Sequence, residues 1–356
     1  MMKQKRVLVC PLNWGLGHAT RCIPIINLLI QNNAKVIIAA EGRSLELLKK
    51  EFPELEYIVF KGYDITYSKS LFLALKMIFS IPKILNGIKR EHRELDKLIT
   101  DYNIDIVLSD NRYGCWNKKI TSVFITHQLM IKSPIGEKVL HKIVLSYIKR
   151  YTFCWIPDWQ GKDNLSGDLA HLYPIPSNAS FIGALTRFNQ FTTTEEKKYD
   201  VMAIISGPEP QRSIFERIVS EQIYKSNLNA LLVFGLPEGN IKHETKAKVK
   251  MVSHLNSKEM EEAIRSSDLI ISRSGYSTIL DLAALGKKAI FIPTPGQTEQ
   301  EYLAYQLKEK GIAFFQKQKT FHLMDAIEKS KSYSGFTKST NDLLLEAAVT
   351  GLLNEK

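Results

Sequence analysis

The residue types best suited to chemistry are gathered in residues 268–302, D-L-I-I-S-R-S-G-Y-S-T-I-L-D-L-A-A-L-G-K-K-A-I-F-I-P-T-P-G-Q-T-E-Q-E-Y. Small polar residues surround Gly275, and helical spacing resumes at Thr278 and runs to Leu285. A helix beginning near Ser277 leaves its first amides without intrahelical partners, and together with the helix dipole they form a seat for a phosphate. Gly275 lets the main chain come close to such a group, so a diphosphate fits the place. Asp281 lies four residues after Ser277 and three after Thr278; it shares their helix face and can accept hydrogen bonds from a ribose or sugar hydroxyl. Residues 294–301 read as a loop beside the same crevice, where Gln297, Gln300 and Glu301 can grip sugar hydroxyls.

The elements that must hold these groups are a strand over residues 269–271, short and β-branched as in a sheet buried on both faces, and a second strand over 289–292 closed by Pro293. Gly286 stops the helix between them. The unit is βαβ, with its loops at the carboxyl ends of the strands. A second set of polar groups falls at equivalent places in the front half. Residues 6–12 predict a strand, and N-W-G-L-G-H-A-T at 13–20 a glycine-containing turn that opens a helix running through Ile30. Asn13, Gly15, Gly17 and His18 belong to that turn, whose spacing is not that of the G-x-G-x-x-G fingerprint. The strand over 104–108 ends in S-D-N-R-Y-G and the strand over 123–125 in T-H-Q. In an open α/β sheet this is the binding edge, so Asp110, Asn111, Arg112, His127 and Gln128 are candidates to line a cleft. Pairing of Asp110 with Arg112 to order the turn is the structural alternative, as is His18 as a mere brace of its turn.

R-S-G-Y-S-T-I-L-D followed by F-I-P-T-P-G-Q-T-E-Q-E-Y resembles the donor-site signature of the MurG-type glycosyltransferases, which include the bacterial N-acetylglucosaminyltransferase of peptidoglycan synthesis and plant galactolipid synthases. The likeness is strongest over residues 200–316, and the G-L-G-H segment supports it separately. It implies a GT-B fold, an α/β architecture of two Rossmann-like domains with parallel sheets facing across a cleft, with a UDP-sugar held mainly by the second. It implies further that His18 stands near the reaction centre. Ser206 and Gly207, Arg212, Arg273, Ser274, Gly275, Ser277 and Thr278 would face the nucleotide phosphates, and the backbone at His254 and Leu255 would embrace the base. The family's usual Gln-Gln pair is here Gln300-Glu301, and Asp281 stands where a glutamate is common.

The 356 residues suffice for two domains with separate cores, and 44% hydrophobic with 24% charged residues is ordinary for a soluble globular protein. The boundary is expected near Arg187, with a polar linker over 186–198, giving domains 1–187 on the acceptor side and 188–356 on the donor side. The terminal helices over 336–353 are expected to cross back to the first domain, as GT-B proteins often do. Four cysteines without zinc-type spacing and a first segment too short in apolar residues for a secretory signal point to a reducing cytoplasm. The net charge of +11 is uneven, with 26 Lys and Arg against 16 Asp and Glu in residues 1–187 but 22 against 21 in 188–356. Residues 71–85 are too short and too interrupted by Lys76, Pro82 and Lys83 to span a bilayer. The long helical region over 71–99 reads either as a core-facing stripe or as a patch for the inner face of an anionic membrane.

The expected activity is inverting transfer of a hexosyl group of the N-acetylglucosamine, glucose or galactose type from a UDP-sugar to a hydroxyl of a lipid-linked or cell-envelope glycan. His18 is the first candidate base and Asp110 the reserve. No Asp-x-Asp pair occurs, so backbone dipole and Arg212 are expected to replace a metal ion, and no cofactor is expected. A nucleotide-sugar hydrolase or epimerase, and a non-catalytic nucleotide-sugar-binding subunit, are the alternatives. Nucleic-acid binding ranks last, because no named signature accompanies the basic charge.

Overall fold

The computed structural model describes residues 4–62, 73–133, 136–188, 196–238, 244–246, 248–337 and 343–355, with the backbone alone at 73–81 and 244. Continuous apolar runs make strands buried on both faces, which is what a parallel sheet covered by helices requires. Seven of them, β1 (Arg6–Pro11), β2 (Lys35–Ala40), β3 (Glu56–Val59), β4 (Ile106–Asp110), β5 (Thr121–Ile125), β6 (Phe153–Ile156) and β7 (Ala179–Phe181), form an all-parallel sheet in the order β3-β2-β1-β4-β5-β6-β7. Strand order reverses between β1 and β4, and Pro11 and Asp110 stand side by side at their carboxyl ends. Loops diverge at such a switch point and leave an open crevice.

The second sheet repeats the plan. Its strands are β8 (Tyr199–Ile204), β9 (Ala230–Val233), β10 (Glu244–Lys246), β11 (Val249–Val252), β12 (Ser267–Ser272), β13 (Lys288–Phe291) and β14 (Phe314–Phe315), in the order β10-β11-β9-β8-β12-β13-β14. All neighbours run parallel except β10, which is antiparallel to β11. Here the reversal falls between β8 and β12.

The chain divides into two compact units between Leu185 and Thr186. The first keeps its own core, with Leu8, Ile37, Leu95 and Val107 on one side of the sheet and Phe124, Val144, Ile148 and Ile156 on the other. The final helix, Leu343–Asn354, belongs to this first unit, and Lys5 Nζ donates to the Glu355 carbonyl at 3.0 Å. The second unit holds the chain from Thr186 onward up to that helix, together with Gly15–Gly17. Its core joins Val201, Phe215, Val219, Leu232, Ile271 and Ile290, each buried side chain contributing roughly 1.5–3 kcal/mol.

β6, F-C-W-I, is fully apolar over only four residues, too short to carry a periodic pattern. Residues 298–301 are not loop but the first turn of the helix Thr298–Glu309, whose polar face hides its period. The stripe-or-patch reading of 71–99 lies outside the described side chains over 71–81, while from 82 onward Ile88 and Leu95 are buried in the core; most of the polar linker over 186–198 also lies outside the described residues. No helix among the described residues is long and apolar enough to cross a membrane.

Candidate active site

In the first unit, the helix Gly17–Gln31 begins just past the turn that follows β1, and it buries Arg21 and Cys22 toward the end of β4. Successive turns of a helix align residues three apart on one face, so His18 and Arg21 look the same way. They meet Asp110, the last residue of β4. His18 Nδ1 is 3.1 Å from Asp110 Oδ1, Arg21 Nε donates to Oδ2 at 2.6 Å, and Arg21 Nη2 donates to Oδ1. The Cys22 thiol adds a contact to Oδ2 at 3.6 Å. Asp110 is fully buried, and burial alone would raise its carboxyl; the charges and hydrogen bonds of Arg21 and His18 overcome this and hold it at about 2. The aspartate is therefore a fixed carboxylate and not a base. His18, with 14% of its side chain exposed, is the group of the pair that solvent and substrate can reach.

The neighbouring strand supplies a second histidine. His127, just past β5, is 4% exposed, and its Nδ1 is 3.0 Å from Arg21 Nη1. Asn111 follows Asp110 in the left-handed region at φ 57, a conformation asparagine tolerates, and its Oδ1 accepts from Thr126 Oγ1 at 3.3 Å. Gln128 is tied through its amide to Thr126 Oγ1 at 3.0 Å. Asn13 lies on the surface against Gly42, where a methyl group would stand 2.6 Å from its Nδ2. Gly15 adopts φ 80 in the turn, and Gly17 is the first residue of the helix.

Arg112 is not a cleft residue, nor does it pair with Asp110. It is 1% exposed, its Nε donates to Glu91 Oε1 at 2.7 Å, Nη1 and Nη2 donate to the Phe60 and Lys61 carbonyls, and its guanidinium lies 4.0 Å over the Phe60 ring. The residue that sequence reasoning missed is Arg21. The signal was an arginine inside the apolar run A-T-R-C-I-P-I-I, one helical turn after His18.

In the second unit, the turn after β12 opens the helix Tyr276–Leu285 with Gly275 as N-cap at φ −72 and no capping side chain. A methyl group added at Gly275 would have no atom within 4 Å. Neither backbone conformation nor internal packing requires glycine there, and the space beside it is open to a ligand. Ser277 and Thr278 stand in the first turn, where the amides point out of the helix end. Across the loops, Ser206 and Gly207 follow β8, with Gly207 at φ 115. A methyl group there would come within 3.8 Å of Thr294 Oγ1, itself a buried hydroxyl without a partner among the described residues. Thr294, too, was missed by sequence reasoning.

The charged residues around this turn serve the protein itself. Arg212, expected at a phosphate, donates to Glu209 Oε1 and Glu216 Oε2, both at 2.6 Å, and to the Phe234 carbonyl at 3.1 Å. Arg273 is 1% exposed, donates to the carbonyls of Ile292, Pro293 and Gln211 and to Gln318 Oε1, and lies 4.1 Å over the Phe215 ring. Burial lowers its pKa to about 9. It staples three loops from within instead of facing a nucleotide. Ser274 is fully buried and donates to the Gln300 carbonyl at 2.7 Å.

Asp281, expected on a ribose, accepts from Thr186 Oγ1 at 3.0 Å and faces Arg187 Nε at 3.5 Å. Burial raises its carboxyl to about 6 against the pull of Arg187 and Thr186. Gln300 and Glu301, expected on sugar hydroxyls, brace their own loop; Gln300 Oε1 accepts from the Thr294 amide at 2.8 Å and Glu301 Oε1 from the Gly296 amide at 3.1 Å. Gln297 is the N-cap residue of their helix. His254 lies past the end of β11 and is half-buried, and Leu255 beside it is 6% exposed.

Comparison with known proteins gives matches across the chain. The model of the Glycosyltransferase family 28 C-terminal domain matches residues 213–347, and that of Glycosyl transferase family 1 matches residues 6–128. An uncharacterized glycosyltransferase of Methanosarcina mazei is 24% identical over 83% of this chain and 82% of its own length. The UDP-N-acetylglucosamine--N-acetylmuramyl-(pentapeptide) pyrophosphoryl-undecaprenol N-acetylglucosamine transferase of Buchnera aphidicola is 25% identical over 90% of this chain and 87% of its own length. Among solved structures, the spinosyn rhamnosyltransferase SpnG superposes with a TM-score of 0.63 at 13% identity, over 99% of this chain and 95% of its own. The same enzyme has been solved with thymidine diphosphate, at a TM-score of 0.56, 13% identity and coverage of 98% and 95%.

Proposed function

We propose that the chain, a glycosyltransferase of the GT-B fold related to the MurG-type enzymes, moves a hexosyl group from a UDP-sugar to a hydroxyl of a lipid-linked or cell-envelope glycan acceptor. The acceptor oxygen attacks the anomeric carbon from the side opposite the diphosphate. The new carbon–oxygen bond forms as the bond to UDP breaks, and the acceptor proton passes to His18 Nε2, so configuration inverts. Asp110 holds the imidazole and stabilises the imidazolium that results. The observation that carries this reading is the His18–Asp110 contact of 3.1 Å to a carboxylate that Arg21 keeps charged.

Departing UDP is received by main chain, through the amides and dipole at the start of the helix Tyr276–Leu285 beside Gly275. Arg212 and Arg273 are engaged elsewhere and take no part. The donor class is supported by the UDP-N-acetylglucosamine named for the Buchnera relative and by the nucleoside diphosphate named for SpnG. Since backbone dipoles supply the stabilisation, turnover is expected to persist in EDTA. Loss of turnover on chelation, restored by a divalent cation, would contradict this.

A lipid-borne acceptor requires approach to a bilayer. The helix Glu137–Ile148 exposes Val139 (62%) and Ile143 (46%) among the exposed Lys138, Lys142 and Lys149, a composition suited to an anionic membrane surface. Flotation with anionic but not zwitterionic vesicles is the expected behaviour; equal flotation with both would remove the electrostatic part of the reading.

The test of the whole is product analysis with a panel of nucleotide sugars, with and without undecaprenyl-type or diacylglycerol-type acceptors. Transfer with inverted configuration and only slow donor hydrolysis is expected. Rapid acceptor-independent release of free sugar would make the protein a hydrolase, and UDP binding without any turnover a non-catalytic subunit.

A further inference from the structure

Arg21 is 2% exposed, and each of its three nitrogens has a defined partner in the first unit. Nε donates to Asp110 Oδ2 at 2.6 Å, Nη2 donates to Asp110 Oδ1, and Nη1 stands 3.0 Å from His127 Nδ1. A guanidinium carries protons on every nitrogen and cannot accept. His127 Nδ1 must therefore be the acceptor in that contact, which puts the proton of the ring on Nε2.

The geometry at His18 is a competition. Its Nδ1 is 3.1 Å from Asp110 Oδ1 and equally 3.1 Å from Arg21 Nη2. Arg21 Nη2 already has an acceptor in that same Oδ1, whereas a lone pair on His18 Nδ1 would face the acceptor-only carboxylate oxygen with no proton between them. The proton of His18 belongs on Nδ1 and the lone pair on Nε2. The two histidines thus end in opposite tautomers, although both touch the same guanidinium.

We propose that Arg21 is a positioning residue that divides the work between the two histidines. Through Asp110 it leaves His18 with a basic Nε2; by donating directly to His127 it makes that ring a hydrogen-bond donor and removes it as a rival base. The kinetic consequence rests on the transferase reading above, whereas the tautomers do not.

The experiment is two-bond hydrogen–nitrogen correlation spectroscopy of the full chain, labelled with nitrogen-15 in its histidine rings, with signals assigned through His18→Gln and His127→Gln. The wild type should show His18 protonated on Nδ1 and His127 on Nε2. Asp110→Asn retains one side-chain oxygen to accept from Arg21 and leaves the Arg21–His127 contact, so His127 should retain its pattern while His18 loses its preference. Arg21→Gln should disturb both rings and lower kcat by about 100-fold with donor KM nearly unchanged. Should Arg21→Gln fail to fold, the wild-type and Asp110→Asn spectra decide alone. A shared tautomer in the wild type, or spectra of Arg21→Gln that match it, would overturn the proposal. Failure of the transferase reading looks different, as absent transfer with the tautomer pattern intact.

Discussion

Asp110 and Asp281, one in each unit, are both buried aspartates beside an arginine, yet the first is held at about 2 and the second pushed up to about 6. Burial raises both. Asp110 overcomes it with a two-nitrogen grip from Arg21, Nε at 2.6 Å, and with His18 at 3.1 Å. Asp281 has one hydroxyl at 3.0 Å, the backbone amide of Arg187 and an arginine side-chain nitrogen no nearer than 3.5 Å. A cation nearby does not by itself keep a buried carboxyl charged; number and directness of donors decide. The contrast extends to the two sheet edges. The first unit builds its site from ionised side chains, while in the second Arg212, Arg273 and Asp281 are all engaged with the protein and the main chain at Gly275 is left for a ligand.

Replacing each aspartate in turn should give the largest difference between the two units. Asp110→Asn should lower kcat by about 100- to 1000-fold, since His18 loses its orienting carboxylate, while Asp281→Asn should leave kcat within about twofold. Equal losses in steady-state assays would erase the distinction.

Stability against pH should separate them next. Asp110, lowered below its ordinary value of 3.8, stabilises the fold above that pH by about 2 kcal/mol, and the contribution is lost as pH falls through about 2. Asp281, raised above 3.8, has the opposite sign; its contribution of about 3 kcal/mol is complete below pH 3.8 and lost as pH rises through about 6. Urea unfolding from acid to neutral pH, with each asparagine variant as reference, should give slopes of opposite sign. Parallel curves would contradict the account.

A smaller effect probes the main-chain half. Gly275→Val fills open space at an ordinary φ, so Tm should hold while donor affinity falls by about tenfold. Gly235→Ala should do the reverse, because at φ 64 its new methyl group would meet the Ile205 carbonyl oxygen at 2.4 Å. Calorimetry and thermal unfolding of both variants read the two outcomes.

The fold was legible wherever burial on both faces made a strand continuously apolar, as in β1, β4, β12 and β13, and wherever a glycine or proline punctuated it. It was not legible in Thr298–Glu309, where T-E-Q-E-Y offers little periodicity until the helix is seen to bury Gln300 and Leu303. Positions of site residues at strand ends could be read from sequence, and the approach of His18 to Asp110 follows from two such ends meeting at one switch point. Partners could not. Arg112 and Arg212 carry the charge a substrate would want, but Glu91 in one case and Glu209 with Glu216 in the other take it, and only the folded chain brings the distant Glu91 to Arg112. Arg21 escaped for the complementary reason, since a charge in an apolar helix face is explained only by the aspartate that β4 delivers to it.

If His18 takes the acceptor proton in sugar transfer, single-turnover transfer by His18→Gln at saturating donor, with donor affinity determined in parallel, should run about 1000-fold below wild type with donor affinity unchanged, the scale expected for loss of a general base. Transfer within tenfold of wild type would contradict it.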